Sequence, residues 1–548
     1  MIAAAASNLA RLLPSRRDYA ELPRSWRRDI LAGITVGVVA LPLALAFGIS
    51  SGVGAAAGLV TAVVAGLVAA VFGGSHVQVS GPTGAMAVVL APIVAQYGLG
   101  SIALATVLAG LLVVAAGVTG LGRAVTFIPW PVIEGFTLGI AAIIFLQQVP
   151  AALGQDSPAG GRTLSTAWSV VRQTDWASTV KTLAVVAVVA LLMVTLPRLH
   201  RGIPESLTAV IVATVAVVGL NISVASIGEL PDHLPTPVLP HVDVGAMQTL
   251  VGAAMAIAAL AAIESLLSAR VAATMAPTGP YDPDRELVGQ GLASVASGAF
   301  GGMPATGAIA RTAVNVRSGA RSRVAAIVHS IVLLGVVYLA TGPVSAIPLS
   351  ALAGVLMVTS FRMISVANIR KILRSTRSDA VTFALTAAIT VCFDLIEAVQ
   401  IGVVVAAFFA LRGVARRSSV TREELPGPRR PGDEEIALLR LDGAMFFGVA
   451  ERISNEITDA DHPRTSVVII RLSQLGMLDA TGANTLAQIA TELEARGITV
   501  IIKGVRPEHM SLLTNVGVFD SLRHENHLMD SLDEAIAHAR THVSRRVS

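Results

Sequence analysis

The chain has 548 residues, 53% hydrophobic and only 14% charged, with a formal net charge of +4. Soluble proteins carry about 25% charged residues, so this is a membrane protein with a soluble portion. The small positive excess, spread over short loops, excludes a nucleic-acid surface. The single cysteine, Cys392, excludes an intrachain disulfide; lying in an apolar run, it is expected as a packed thiol.

Residues 1–27 read as a basic arm carrying Arg11, Arg16, Arg17, Arg24, Arg27 and Arg28, without the apolar core and cleavage site of a secretory signal. Fourteen apolar segments follow, near 29–48, 54–73, 83–96, 101–121, 131–148, 180–197, 206–220, 247–272, 286–300, 306–316, 322–341, 349–362, 379–394 and 398–415. A full crossing takes about 20 apolar residues, so the shorter third and tenth read as half-helices. Basic residues recur after the even-numbered segments: Arg123, Arg198, Arg285, the group Arg317, Arg321 and Arg323, then Arg370 to Arg377, and Arg412 to Arg417. By the positive-inside rule this predicts seven plus seven segments with both termini cytoplasmic. The loop 149–179 is mixed, with Arg162 and Arg172 beside Asp156 and Asp175.

Two interruptions stand out. Ser80-Gly-Pro-Thr-Gly-Ala-Met86 and Met303-Pro-Ala-Thr-Gly-Ala-Ile309 place Pro, Thr and Gly inside apolar sequence, each after Phe-Gly-Gly (72–74 and 300–302). Nearly equal steps back from Thr83 and Thr306 reach Pro42 and Glu264. Irregular backbone at membrane depth survives only where it lines a cavity or is buried in protein. Paired broken helices in two related halves mark a transporter's binding site.

Residues 418–435 read as a polar Pro/Gly linker, and 436–548 as a small α/β domain of alternating strands and helices. Its junction Leu478-Asp479-Ala480-Thr481-Gly482 reads as a strand-to-helix turn with a capping side chain. No metal-ligand spacing, nucleophile triad or phosphate loop is apparent, which argues against an enzyme or an ATP-driven pump.

Several motifs in order resemble the sulfate permease (SulP) family: Asp29-Ile-Leu-Ala-Gly-Ile-Thr-Val-Gly37 with Leu41-Pro42 and Ala46-Phe47-Gly48, then Ser80-Gly-Pro-Thr-Gly84, Pro131-Val-Ile-Glu-Gly-Phe-Thr137 and Ala308-Ile-Ala-Arg-Thr312. The tail resembles the STAS domain of that family. The resemblance implies an α-helical membrane protein with a 7+7 inverted repeat like that of uracil-type transporters, 28–220 and 247–417 being the repeats. A core domain (segments 1–4 and 8–11) would move as an elevator against a gate domain (5–7 and 12–14). It further implies a homodimer in a bacterial cytoplasmic membrane, and a cytoplasmic protein partner for the STAS domain. Asp479 and Thr481 of its Asp-x-Thr-Gly loop are the candidate regulatory residues; Ala480 stands where related anti-sigma antagonists carry a phosphorylated Ser, a departure that speaks against phosphoswitching through this loop.

Half-helices starting near Thr83 and Thr306 would aim unpaired N–H groups and dipole ends at an anion. The expected binding set is Thr83, Gly84, Ala85, Thr306, Gly307 and Ala308. Thr83 and Thr306 would cap the helices and donate to the ligand; as pure N-caps they would do no more than close a packed bundle. Arg311, about 7.5 Å into the second half-helix, would neutralise the anion or pair with Glu264; its alternative is to snorkel toward Arg317, Arg321 and Arg323. Glu264 is the only carboxylate in 247–272 and is expected to couple transport to protons, or to serve as a structural partner of Arg311 or Ser268. Sulfate, bicarbonate and C4-dicarboxylates all fit, and sodium is the other candidate coupling ion. The competing functions are an uncoupled exchanger or channel, a membrane anchor for the STAS domain and a nucleobase transporter. Glu134 is expected to support an internal contact, and His329 to be a satisfied packing residue.

Overall fold

The computed structural model describes residues 11–547, except 124–128, 156–162, 200–203, 239–243, 277, 393–394, 447–449, 460–464 and 525–526. Arg162 and Asp156 of the mixed loop lie outside the described residues. The chain divides into two compact units, Met1–Val403 and Val404–Ser548.

In lipid each backbone polar group must be satisfied within the segment, so apolar runs become helices. In the first unit these are α1 (Leu22–Ser50), α2 (Ala55–Phe72), α3 (Gly84–Tyr97), α4 (Ile102–Val118), α5 (Trp130–Gln147), α6 (Trp176–Leu199) and α7 (Glu205–Gly219). The second set comprises α8 (Val244–Met275), α9 (Pro283–Ala299), α10 (Ile309–Arg317), α11 (Val324–Leu339), α12 (Leu349–Met363), α13 (Arg377–Cys392) and α14 (Leu395–Arg417). Each expected segment has its helix, and α3 and α10 are short, at 14 and 9 residues. Two amphipathic helices, Thr163–Gln173 and Val366–Arg374, add to them. Proline opens α5 and α9, and Asp282 caps α9 by accepting from the Asp284 and Arg285 amides.

The helices sort into two bundles. Helix α1 packs on α2 and α11, and α9 packs on α2 and α4; α5 packs on α12 and α13, and α6 on α7 and α12. These are the expected core and gate. Small residues let α4 and α9 approach closely: a Cβ on Gly110 would lie 2.7 Å from the Gly291 carbonyl, and one on Gly291 2.6 Å from the Gly110 carbonyl. Between α2 and α3 lies β1 (Ser80–Gly81), and between α9 and α10 lies β2 (Thr306–Gly307). They pair antiparallel, Ser80 with Gly307 and Gly81 with Thr306. One strand comes from each half of the sequence.

Two arginines that the charge pattern assigns to loops are buried: Arg285 is 7% exposed and Arg323 1%. Arg285 makes a bidentate ion pair with Asp18, at 2.9 and 2.8 Å, and Arg323 lies 3.7 Å from the same carboxylate. The N-terminal arm thus brings a carboxylate to two buried arginines. Cys392 is exposed instead of packed. His329 is buried as expected, but neither ring nitrogen has a hydrogen-bond partner among the described residues.

The second unit continues from α14 into a sheet. Its strands are β3 (Ser419–Glu423), β4 (Ile436–Met445), β5 (Val467–Arg471), β6 (Leu475–Leu478), β7 (Thr499–Lys503) and β8 (Leu528–Met529). The order is β3-β4-β5-β7-β8, with β6 beside the end of β4. Only β3 runs antiparallel to its neighbour. Side chains alternate across the sheet. Ala437, Leu439 and Leu441 pack under α15 (Ala450–Asp459), α16 (Ala480–Ala495) and α17 (Pro507–Val516). Leu438 and Ile469 face α18 (Leu532–Val547) on the other side. Residues 419–423 were expected in the linker but form an edge strand. Their polar look has a physical cause: Glu423 binds Arg440 at 2.7 Å and Arg471 at 3.0 Å, and charge is the usual dress of an edge.

Burial alone would raise the pKa of Asp18. The Arg285 hydrogen bonds, the Ser15 amide and the Arg323 charge outweigh it and bring the pKa from 3.8 to about 2. A depressed carboxylate stabilises the fold above its unfolded pKa, and that contribution is lost as pH falls from about 4 toward 2. Asp18→Asn is therefore expected to lower the melting temperature at pH 7, by a loss of about 3 kcal/mol. The gap to wild type should close in melts recorded below pH 3.

Candidate functional site

The β1–β2 pair brings the starts of α3 and α10 together. Thr83 is the N-cap of α3, extended at φ −127°, and its hydroxyl accepts weakly from the Met86 amide at 3.4 Å. The second half departs from expectation. Thr306 is held in β2 by its pairing with Gly81, so α10 starts only at Ile309, and its N-cap is Ala308, whose methyl group cannot accept a hydrogen bond. The Gly307 amide donates to Ser265 Oγ at 3.1 Å and the Ala308 amide to the Val79 carbonyl at 2.9 Å. These two expected donors are already used. The first-turn amides without intrahelical acceptors or a capping side chain among the described residues are those of Gly84 and Ala85 on one side and of Ile309, Ala310 and Arg311 on the other. Ile309 and Ala310 are exposed, while Gly84 and Ala85 are buried.

Glu264 stands midway along α8 and is half-buried. Its Oε2 accepts from Thr83 Oγ1 and from Thr306 Oγ1, each at 2.8 Å, and the two hydroxyl oxygens are 3.1 Å apart. The threonines expected to donate to a ligand donate instead to this carboxylate. Glu264 is bound neither to Arg311 nor to Ser268; Ser268 Oγ lies 3.4 Å from Thr312 Oγ1.

Arg311 is 2% exposed and does not snorkel. Its Nη2 donates to the Pro82 carbonyl in the other half of the sequence, and its Nη1 has no partner among the described residues. The guanidinium lies against Gly81: a Cβ there would be 2.8 Å from Nη1, and its φ of +154° is one that side chains rarely adopt. Both constraints call for glycine at that position. Gly84 likewise has no room for a side chain, since a Cβ would come within 2.3 Å of Ile144 Cδ1.

Sequence reasoning missed the supporting residues. Ser265 and Gln78 brace β2: Gln78 Nε2 donates to the Ser265 carbonyl at 3.3 Å. Glu286, 1% exposed, accepts from the Gly74 and Ser75 amides and from Gln290 Nε2, and Gln290 reaches Ser80 Oγ. The signal was available: Glu286 and Gln290 are one helical turn apart on an apolar helix. Glu134 supports an internal contact as expected, accepting from Trp130 Nε1 and Asn368 Nδ2. In the second unit Asp479 caps α16 by accepting from the Gly482 amide at 2.8 Å, and Thr481 is exposed.

A model of the sulfate permease family matches residues 26–386, and one of the STAS domain matches 428–535. YvdB of Bacillus subtilis is 34% identical over 518 residues, which cover 93% of this chain and 97% of that protein. The bicarbonate transporter BicA of Synechocystis is 31% identical over 538 residues, covering 94% of each. Among solved structures, the transmembrane domain of a cyanobacterial BicA superposes with a TM-score of 0.62 at 34% identity, over 68% of this chain and 97% of that one. SLC26A9 superposes with a TM-score of 0.82 at 17% identity over 99% of this chain and 95% of that one, which speaks for the fold.

Gly81→Ala is expected to displace Arg311 and lower the melting temperature of the purified protein. Gly100→Ala, where a Cβ meets nothing within 4 Å, should stay within about 0.5 kcal/mol of wild type. Parallel thermal melts check both.

Proposed function

The chain belongs to the sulfate permease family, and on that premise we propose that it is a secondary active transporter of a small anion, coupled to protons. The observation that carries this reading is the unused Nη1 of the buried Arg311, placed where the first turns of α3 and α10 converge. A buried guanidinium without a carboxylate partner is costly. An anion between the two helix starts would offset that cost and accept from the amides of Gly84, Ala85, Ile309 and Ala310. Gly307 and Ala308 would shape the site without donating to it.

Glu264 supplies the coupling. While ionised it holds both threonine hydroxyls and repels an anion. Once protonated it adds one positive charge to the site and releases a hydroxyl to turn toward the ligand. Anion and proton would then bind cooperatively, each raising the affinity for the other by the same factor. The core bundle carries Thr83, Thr306, Glu264 and Arg311 together, so it would move as one body against the gate, in an elevator motion. The protein would reside in a bacterial cytoplasmic membrane with both termini inside, as a lipid-embedded homodimer whose STAS domain meets a cytoplasmic protein. Sulfate, bicarbonate and C4-dicarboxylates are all oxyanions, whose oxygens can accept from the N–H donors of such a backbone-lined site.

The test is uptake of radiolabelled sulfate, bicarbonate and succinate into liposomes under an inward proton or an inward sodium gradient. One anion should accumulate only with the proton gradient. Glu264→Gln should abolish that accumulation while leaving anion exchange, and Arg311→Ala should weaken apparent affinity at least ~30-fold, the equivalent of about 2 kcal/mol. Accumulation driven by sodium, or gradient-independent equilibration of all three anions, would refute proton coupling and favour a sodium symporter or an uncoupled exchanger or channel.

A further inference from the structure

The second unit contains a histidine cluster for which transport has no use. His538 and His542 lie one turn apart on α18, with their Nε2 atoms 3.2 Å apart. His527, immediately before β8, brings a third imidazole, its ring centroid 5.4 Å from that of His538 and 5.2 Å from that of His542. One nitrogen from each of the three lies within 4.8 Å of the others. His524 stands edge-on to His527, with centroids 5.4 Å apart. The sequence reading found no metal-ligand spacing. The fold brings a His-x-x-His pair (524 and 527) next to a His-x-x-x-His pair (538 and 542).

Packing alone explains this arrangement poorly. His527 is fully buried; the Val500 backbone is a weak hydrogen-bonding neighbour that can serve one ring nitrogen, and the other has no partner among the described residues. A buried polar atom left unpaired costs about 1–3 kcal/mol. The nitrogen spacing has another reading. Two imidazole nitrogens bound about 2.0–2.1 Å from a tetrahedral ion lie roughly 3.3 Å from each other, close to the His538–His542 separation.

We propose that His527, His538 and His542 form a binding site for a late first-row divalent metal ion of the zinc, nickel or copper type, which ties α18 to the sheet edge at β8. The donor set is entirely imidazole, which suits these ions and not magnesium or calcium. Arg523 and Arg545 act electrostatically on His542. They disfavour an ion held by charge alone and leave coordination to nitrogen as the source of affinity. Three histidines leave one tetrahedral position, for water or for His524.

The test uses the full-length protein in detergent, free of any affinity tag and stripped with chelator. Equilibrium dialysis against zinc should give one ion per chain, and cobalt should give the intense visible band of a tetrahedral site, removed by zinc. His538→Gln and His542→Gln, both at partly exposed positions, should each abolish the cobalt band and the zinc-induced rise in melting temperature. His233→Gln, at an exposed histidine paired with Asp232, should change neither. Absence of saturable binding by the wild type, or equal binding by wild type and the two glutamine variants, would overturn the proposal.

Discussion

Oε2 of Glu264 accepts one hydroxyl from each half of the transport unit, Thr83 before α3 and Thr306 in β2. This three-centre contact is where the two broken helices meet, and the other features of the site follow from its placement. The β1–β2 pairing sets the height of the two threonines. Gly81 leaves room for Arg311 to cross into the opposite half and take the Pro82 carbonyl. Ser265, next to Glu264 on α8, holds the Gly307 amide and so fixes β2 on the same helix that carries the carboxylate.

The energetics explain why so much polar machinery sits inside an apolar bundle. Backbone that leaves the helical pattern inside a membrane must find partners in the protein. Here Gln78, Ser265, Glu286 and Gln290 provide them. A second polar cluster, Asp18 with Arg285 and Arg323, closes the core bundle where α9 and α11 begin. These residues satisfy the backbone around the site. At the centre of the site, Arg311 Nη1 and five helix-start amides have no partner among the described residues, and one carboxylate accepts both threonine hydroxyls.

Much of this was legible in the sequence, because broken membrane helices are conspicuous: Pro, Thr and Gly inside an apolar run have few other uses. The segment count, the half-helices, the α/β tail and the Asp479 cap all follow from local pattern. What was not legible depends on contacts between distant residues. Thr306 looks like a cap, but pairing with Gly81, 225 positions earlier, keeps it in a strand. Arg285 and Arg323 look like loop charges until Asp18 folds against them. The 419–423 stretch reads as linker by its polar composition, yet it pairs with β4 and its Glu423 binds Arg440 and Arg471 across the sheet. The histidines of the tail seem scattered until β8 and α18 bring them together.

The central claim is that Glu264 links proton binding to anion binding at this site. Isothermal titration calorimetry of sulfate or succinate binding at pH 8, repeated in buffers of different ionisation enthalpy, counts the protons taken up per anion bound. The account predicts net proton uptake by the wild-type protein and none by Glu264→Gln. Anion binding by the wild type with no proton uptake, or equal uptake by both proteins, would contradict it.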